Sequence, residues 1–496
     1  MKRSSGILLP ISALPAPYGI GTLGRAAFEF VDFLAAAGQS WWQVLPVGPT
    51  SYGDSPYQSL STFAGNPYFI DLDMLVEDGL LRADEVRAVD WGADETQVDY
   101  GILYEHRFAL LAKAAEKGLK RDAAAVAAFA SEKRGWLEDY ALFMALKRHF
   151  AMKPWMEWPE EVRLRKAEAL ERYRTVLSED VALFTYIQYL FYRQWAALRA
   201  YARERGVGII GDLPIYVAMD SADVWASPES FQLDEKNVPI AVAGVPPDYF
   251  SSTGQRWGNP IYDWKKMKEE GYNFWIHRLQ YSSDIYDLVR IDHFRAFDTY
   301  WKIPASCKTA IEGAWIEGPS YDFFDCLLKA SPDMQIIVED LGDLREEVYS
   351  LRDHYGFKGM KILQFSFDPN ETNNRFPDRK NMVLYTGTHD NLPIQGWLDL
   401  QTADTKATIA EVLKTKGIAW EDLAWGMVEL ANASIADIVI VPVQDILGLD
   451  AKARINTPGT MGSPNWEWKM EDFSVFCEKL EALSKVLENT GRKSGV

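Results

Sequence analysis

Cys307, Cys326 and Cys477 are the only three cysteines in 496 residues. Their odd number and lack of metal-type spacing argue against a disulfide scaffold and point to a reducing compartment. Positive charge is also short: 52 Lys and Arg against 71 Asp and Glu leave a net charge of −19. That balance excludes the basic footprint needed to hold a nucleic-acid backbone or an anionic membrane surface. A long apolar run is missing too. Nothing approaches the roughly 18 apolar residues of a membrane span, and the stretch after Met1-Lys2-Arg3-Ser4-Ser5-Gly6 is too short for a signal peptide. The expected location is therefore the cytoplasm, or the plastid stroma were the source a plant. The six histidines are scattered, and no His-x-His pair closes a strand, so the ligand set of a zinc-dependent barrel hydrolase is not evident and no metal or other cofactor is expected. Neither end reads as a separate β-sandwich or starch-binding domain.

What remains is an ordinary globular composition, 48% hydrophobic and 25% charged, with an excess of aromatics in 18 Trp and 23 Tyr. Flat faces with a polar edge suit sugar rings as well as they suit a core. Eight short apolar runs end in polar or acidic residues: Gly6 to Pro10, Trp42 to Val47, Val207 to Asp212, Asp287 to Asp292, Gln335 to Asp340, Met360 to Phe367, Met382 to Asp390 and Asp437 to Val443. Helix-period segments follow most of them, as in parallel βα units. The first is Ala26 to Ala37, with Phe30, Phe33 and Leu34 on one face and a stop at Gly38. Eight such units predict a single α/β domain over residues 1–496, a (β/α)8 barrel whose site lies at the carboxyl ends of the strands. Two gaps are too long for one helix. The first, about residues 75–200, reads as a helical insertion. The second, about 217–281, holds a run of turn formers and aromatics from Pro246 to Gly254 that is expected to be a lid loop.

Three strand ends carry chemistry. In Arg290-Ile291-Asp292-His293 the alternation of a strand puts Arg290 and Asp292 on one face. A guanidinium beside a carboxylate keeps it ionised, as a nucleophile requires. Glu339 closes Ile336-Ile337-Val338-Glu339, where apolar neighbours are expected to raise its pKa toward that of a general acid. His389 and Asp390 end a third run and can hold sugar hydroxyls and favour a distorted ring. Alone, Arg290 and Asp292 read equally well as a pair that closes a strand end, Glu339 reads more readily as a solvated or paired residue, and the third end reads as a capped turn. Gathered at one barrel mouth, they fit cleavage of a glycosidic bond with retention, Asp292 attacking and Glu339 handling the proton.

The same segments, together with Ser12-Ala13-Leu14-Pro15, Gln43-Val44-Leu45-Pro46-Val47-Gly48-Pro49, Gly53-Asp54-Ser55-Pro56-Tyr57-Gln58, Gly211-Asp212-Leu213-Pro214-Ile215-Tyr216, Trp257-Gly258-Asn259-Pro260, Glu339-Asp340-Leu341-Gly342 and Thr388-His389-Asp390-Asn391, resemble the 4-α-glucanotransferase (amylomaltase, disproportionating enzyme) family, relatives of the α-amylase barrels. The resemblance spans nearly the whole chain. It implies Asp292 as nucleophile, Glu339 as acid/base and Asp390 as transition-state stabiliser, with Tyr57, Asp212, Arg290 and His389 around the sugar at the cleavage point. It also implies Trp257, Phe250 of the lid and Asn465 on the acceptor side, with Asn456 an alternative to Asn465. The implied partners are an α-1,4-glucan donor and a sugar acceptor. An α-1,4-glucan hydrolase using the same residues remains open, since transfer and hydrolysis differ only in what reaches the glycosyl-enzyme. So does, from another class, an inert glucan-binding module, which all three carboxylates and Arg290 disfavour.

Overall fold

The computed structural model describes residues 3–247, 251–342, 344–368, 376 and 379–494. Twelve strands occur among them: β1 Ser4–Leu8, β2 Trp41–Gln43, β3 Gly208–Leu213, β4 Ala241–Val245, β5 Gln255–Pro260, β6 Leu288–Ile291, β7 Thr299–Pro304, β8 Ala314–Glu317, β9 Ile336–Val338, β10 Gly359–Ile362, β11 Met382–Tyr385 and β12 Ile438–Pro442. Eight of them form one parallel sheet in the order β10-β11-β12-β1-β2-β3-β6-β9. A parallel bridge between Ile337 of β9 and Lys358, next to β10, joins its two edges. The fold is a (β/α)8 barrel, and each of its strands overlaps one of the eight runs read from the sequence.

Those runs were legible because barrel strands are covered on both faces. β1, β6, β11 and β12 are buried at every position, so they read as unbroken apolar stretches and not as alternation. The helix after β1 runs Arg25–Ala37 and stops where Gly38 turns left-handed, φ 77°, its N–H donating to Ala35 and Leu34 carbonyls. Close approach explains a second glycine. A Cβ on Gly211 would lie 2.1 Å from the Tyr286 ring, so only glycine lets that ring pack beside β3 just before Asp212.

Between β2 and β3 the chain is mainly helical, ending in a long helix, Ser178–Glu204, that buries Leu183, Ile187, Leu190, Phe191 and Leu198. Two buried amides on it reach across to the segment that follows Tyr57. Gln188 both donates to and accepts from the backbone of Gly65, at 2.9 and 2.8 Å, and Gln194 does the same with Asp71, at 3.2 and 2.7 Å. Gln188→Leu should therefore lower unfolding stability by roughly 1–3 kcal/mol, because it strands a buried N–H and C=O together. A urea midpoint unchanged from wild type would refute that pairing.

The stretch expected as an insertion with a loop contains more order than its turn residues suggest. β4 and β5 form a hairpin, and with β7 and β8 they make an antiparallel sheet in the order β5-β4-β7-β8. Residues 246–254 join β4 to β5; Phe250 lies outside the described residues.

Candidate active site

The site grows out of the register of three neighbouring strands. In the β3–β6 pair Asp212 stands opposite Arg290, and in the β6–β9 pair Arg290 stands opposite Ile337. The ladder continues past the strand ends: Asp292 N–H donates to Leu213, Glu339 N–H to Ile291 and Phe294 N–H to Glu339, at 3.0, 3.0 and 3.1 Å. Asp292 and Glu339 are thereby fixed at adjacent ends of one barrel mouth. His293 then adopts a left-handed backbone, φ 46°, uncommon for a non-glycine residue and typical of a functional constraint. The turn aims the His293 N–H at Glu339 Oε2, 2.8 Å away.

Arg290 is 4% exposed in its side chain and organises three carboxylates. Its Nη1 donates to both Asp212 oxygens at 2.6 and 2.7 Å, and its Nη2 reaches Asp292 Oδ1 at 3.0 Å and Glu339 Oε2 at 2.9 Å. The remaining Nε faces the Met360 sulfur at 3.3 Å. Burial opposes the guanidinium's charge, but Asp212, Glu339 and Asp292 outweigh it and hold its pKa well above the usual arginine range. Asp212 also accepts from the Tyr57 hydroxyl at 2.7 Å. Burial, then the Asp212 charge, keeps that hydroxyl protonated.

The Asp292 and Glu339 carboxyls both meet Arg290 Nη2, so the two titrate as a pair. Burial and then the Glu339 charge push Asp292 well above the usual carboxylate range. Burial also works against ionised Glu339, but Arg290, the bond from Asp292 and the His293 N–H overcome it and hold Glu339 down to about 2. This reverses both expectations from the sequence, an Asp292 lowered by Arg290 and a Glu339 raised by apolar neighbours. The physical reason is that one guanidinium is divided among three carboxylates, while Glu339 alone receives the additional backbone donor.

The third strand end lies across the mouth. The His389 ring stacks on Tyr57, with centroids 5.1 Å apart and planes 18° from parallel, and Trp466 closes on both rings. Asp390 has 42% of its side chain exposed, with His389 Nε2 3.4 Å from its Oδ1. Asn456 donates to the same oxygen at 2.6 Å, and Arg454 donates to the Asp390 carbonyl at 2.5 Å.

The family model described as 4-alpha-glucanotransferase matches residues 9–475. The chain belongs to the 4-alpha-glucanotransferase family. A relative from Thermus thermophilus, itself named 4-alpha-glucanotransferase, is 47% identical over 99% of both chains. One from Streptococcus pneumoniae with the same name is also 47% identical, over 95% of this chain and 94% of that one. Among solved structures, the amylomaltase from Streptococcus agalactiae in complex with acarbose superposes with a TM-score of 0.96 at 40% identity, over 99% of this chain and 100% of that one.

On the acceptor side expected for this glucanotransferase, the Trp257 ring on β5 stands edge-on to the His293 ring at 5.0 Å. Burial lowers the His293 imidazole to about 4, so it is neutral at pH 7. Gln58 Nε2 donates to Asn259 Oδ1 at 3.0 Å, tying the Tyr57 segment to the Trp257 segment. Asn465 is not brought among the carboxylates. Its side chain spans its own loop, accepting from Thr457 N–H at 2.8 Å and donating to Thr460 Oγ1 at 2.9 Å, whereas Asn456 touches Asp390. Arg454 was not singled out in the sequence; its only signal is a place two residues before the Asn456-Thr457-Pro458-Gly459-Thr460 turn. Among the described residues no group of three His, Cys, Asp or Glu is arranged to hold a metal ion, and no helix is long and apolar enough to cross a membrane.

Proposed function

We propose that the chain transfers a segment of an α-1,4-glucan to the 4-hydroxyl of glucose or a maltooligosaccharide by a retaining double displacement. A single barrel over residues 1–496 would carry the chemistry, with the helical insertion near 75–200 and the lid-bearing insertion near 217–281 shaping its mouth. The carrying observation is the bridge from Arg290 Nη2 to Asp292 and Glu339, at 3.0 and 2.9 Å. Two carboxyls gripped by one nitrogen lie on the short side of the divide between retaining sites, roughly 5–5.5 Å, and inverting ones, roughly 6.5–9.5 Å.

The donor's scissile bond enters between the two carboxyls and parts them. With the sugar between them Glu339 carries the proton and Asp292 is ionised; Glu339 passes its proton to the glycosidic oxygen as the Asp292 oxygen bonds to the anomeric carbon, and the leaving sugar departs with its new hydroxyl. Glu339, now ionised, takes the proton of the acceptor's 4-hydroxyl while that oxygen attacks the anomeric carbon and displaces the Asp292 carboxylate. Asp390 and His389 hold ring hydroxyls as the sugar flattens, and Asp212, Tyr57 and Arg290 line the same sugar. Trp257 offers a face to the acceptor and helps keep water from the intermediate, a role the family resemblance also gives to Phe250. The family's transferring relatives support this over hydrolysis, and an uncharged glucan is compatible with a −19 protein on either reading. The reading places the chain in maltodextrin, glycogen or starch metabolism, in the cytoplasm or, were the source a plant, in the plastid.

Incubation with maltotriose should give glucose together with a ladder of oligosaccharides longer than the substrate. Glucose and maltose alone, with reducing ends increasing in step, would return the reading to hydrolysis.

A further inference from the structure

Thr386 to Ile394 is the segment that presents His389 and Asp390, and its two ends meet one carboxylate that takes no part in the proposed chemistry. Asp445 lies in the short helix Val443–Leu447 that follows β12 and is 4% exposed. Its Oδ2 accepts from the Thr386 hydroxyl at 2.6 Å and its Oδ1 from the Ile394 backbone N–H at 2.7 Å. Thr386 is fully buried at the end of β11, and Ile394 opens the next helix, Ile394–Asp399. Among the described residues Asp445 makes no ion pair, and burial pushes its pKa up to about 6. Burying an unpaired carboxylate is costly, and a neutral group could have packed there at lower cost. What a carboxylate offers is two acceptor oxygens at a fixed spacing, one for each end of the segment.

Inside those ends the segment holds itself together. Asn391 Oδ1 accepts from Thr388 N–H and Oγ1, each at 2.9 Å, and the Asp390 N–H donates to Thr388 Oγ1 at 3.3 Å. Gln364 on the neighbouring turn donates to the Leu392 carbonyl at 2.8 Å. Outside the segment Asp390 is met by Asn456 and Arg454.

We propose that Asp445 is a positioning residue for the transfer reaction: it staples Thr386 to Ile394 and so sets where His389 and Asp390 meet the sugar in the transition state. The proposal rests on the role given above to Asp390. A carboxylate displaced by about 1 Å can forfeit on the order of 10²-fold in rate while ground-state binding is largely kept.

Thr386→Val keeps the side chain's shape and removes one arm of the staple, and Thr386→Ser restores it. With maltotriose, Thr386→Val should lower kcat by about tenfold or more and leave KM within about twofold, while Thr386→Ser stays near wild type. Asp445→Asn, which can accept from Ile394 and donate to the Thr386 hydroxyl, should retain more kcat than Asp445→Leu. Folded Thr386→Val with wild-type kcat overturns the proposal, as does a fall in thermal midpoint with kcat intact, the mark of a merely structural tie. Asp390→Asn is run beside them. If it is inactive while Thr386→Val is fully active, the staple fails and the role of Asp390 stands; if it is active, both fall.

Discussion

Asp292→Asn should lower turnover of maltotriose by on the order of 10⁴-fold or more, the scale of removing a nucleophile from a site whose parts act as a unit. It should also make the protein more stable at neutral pH. The amide is nearly isosteric, its oxygen can accept from Arg290 Nη2 and its NH₂ can donate to Glu339. The sign follows from linkage. In the unfolded chain Asp292 ionises near its ordinary value of about 4, while in the fold burial and Glu339 keep it protonated far above that. Folding at pH 7 must therefore take up a proton, a penalty that is absent below about pH 4 and increases as pH rises toward the folded value. Asparagine removes it. Glu339, held down to about 2 mainly by Arg290 against burial, contributes the opposite dependence, present above its unfolded value and lost toward pH 2, and it keeps Arg290 and the His293 N–H in both proteins. Thermal midpoints of wild type and Asp292→Asn should then diverge between pH 5 and 8 and converge toward pH 4. An active Asp292→Asn removes the mechanism; an inactive one that is no more stable at pH 7.5 shows that burial and Glu339 do not raise Asp292.

The barrel was readable from the sequence because the same physics that buries its strands on both faces writes them as apolar runs, and because the residues at their carboxyl ends, Asp212, Asp292 and Glu339, are the ones a closed barrel must bring together. The antiparallel sheet was not. β5 reads Gln255-Arg256-Trp257-Gly258-Asn259-Pro260 and β8 is exposed along its whole length, so neither has the periodicity of a half-buried strand; their order comes from pairing with β4 and β7. Strand ends were overrun for a similar reason. Met382 to Asp390 is one run by hydropathy, but the strand ends at Tyr385, and after the Thr386 N–H reaches Ile440 the backbone bonds turn inward, Thr388 and Asn391 holding their own turn. Protonation was misread for want of a distance. Local sequence puts Arg290 beside Asp292 and apolar residues beside Glu339, but it does not say that Arg290 Nη1 is committed to Asp212 from another strand, or that a left-handed His293 turns its N–H toward Glu339. Those two facts, both tertiary, set the direction in which each carboxyl is pushed. Asn456 and Arg454 were obscure likewise, since their meaning depends on reaching Asp390 across more than sixty residues.

Glu339→Gln isolates the proton from the bond. The amide oxygen can still accept from Arg290 and from the His293 N–H, and its NH₂ faces an Asp292 that is then free to ionise, so the nucleophile should be intact and only proton transfer lost. Turnover of maltotriose should fall by about 10²–10⁴-fold, because the departing sugar leaves as an unprotonated alkoxide. An α-glucosyl fluoride donor needs no such help, as fluoride departs unaided. With it the variant should release a burst of fluoride equal to the enzyme present and then stall. The second half-reaction lacks its base, and the glucosyl ester should persist on Asp292, visible as a mass increase of one anhydroglucose on the peptide that carries that residue. Azide requires no deprotonation and should restart turnover, giving α-glucosyl azide by two inversions at the anomeric carbon. If fluoride release and maltotriose turnover fall by the same factor, or azide has no effect, Glu339 is not the group that moves the proton. If the azide product is the β-anomer, no glycosyl-enzyme forms and the short bridge through Arg290 has been given the wrong meaning.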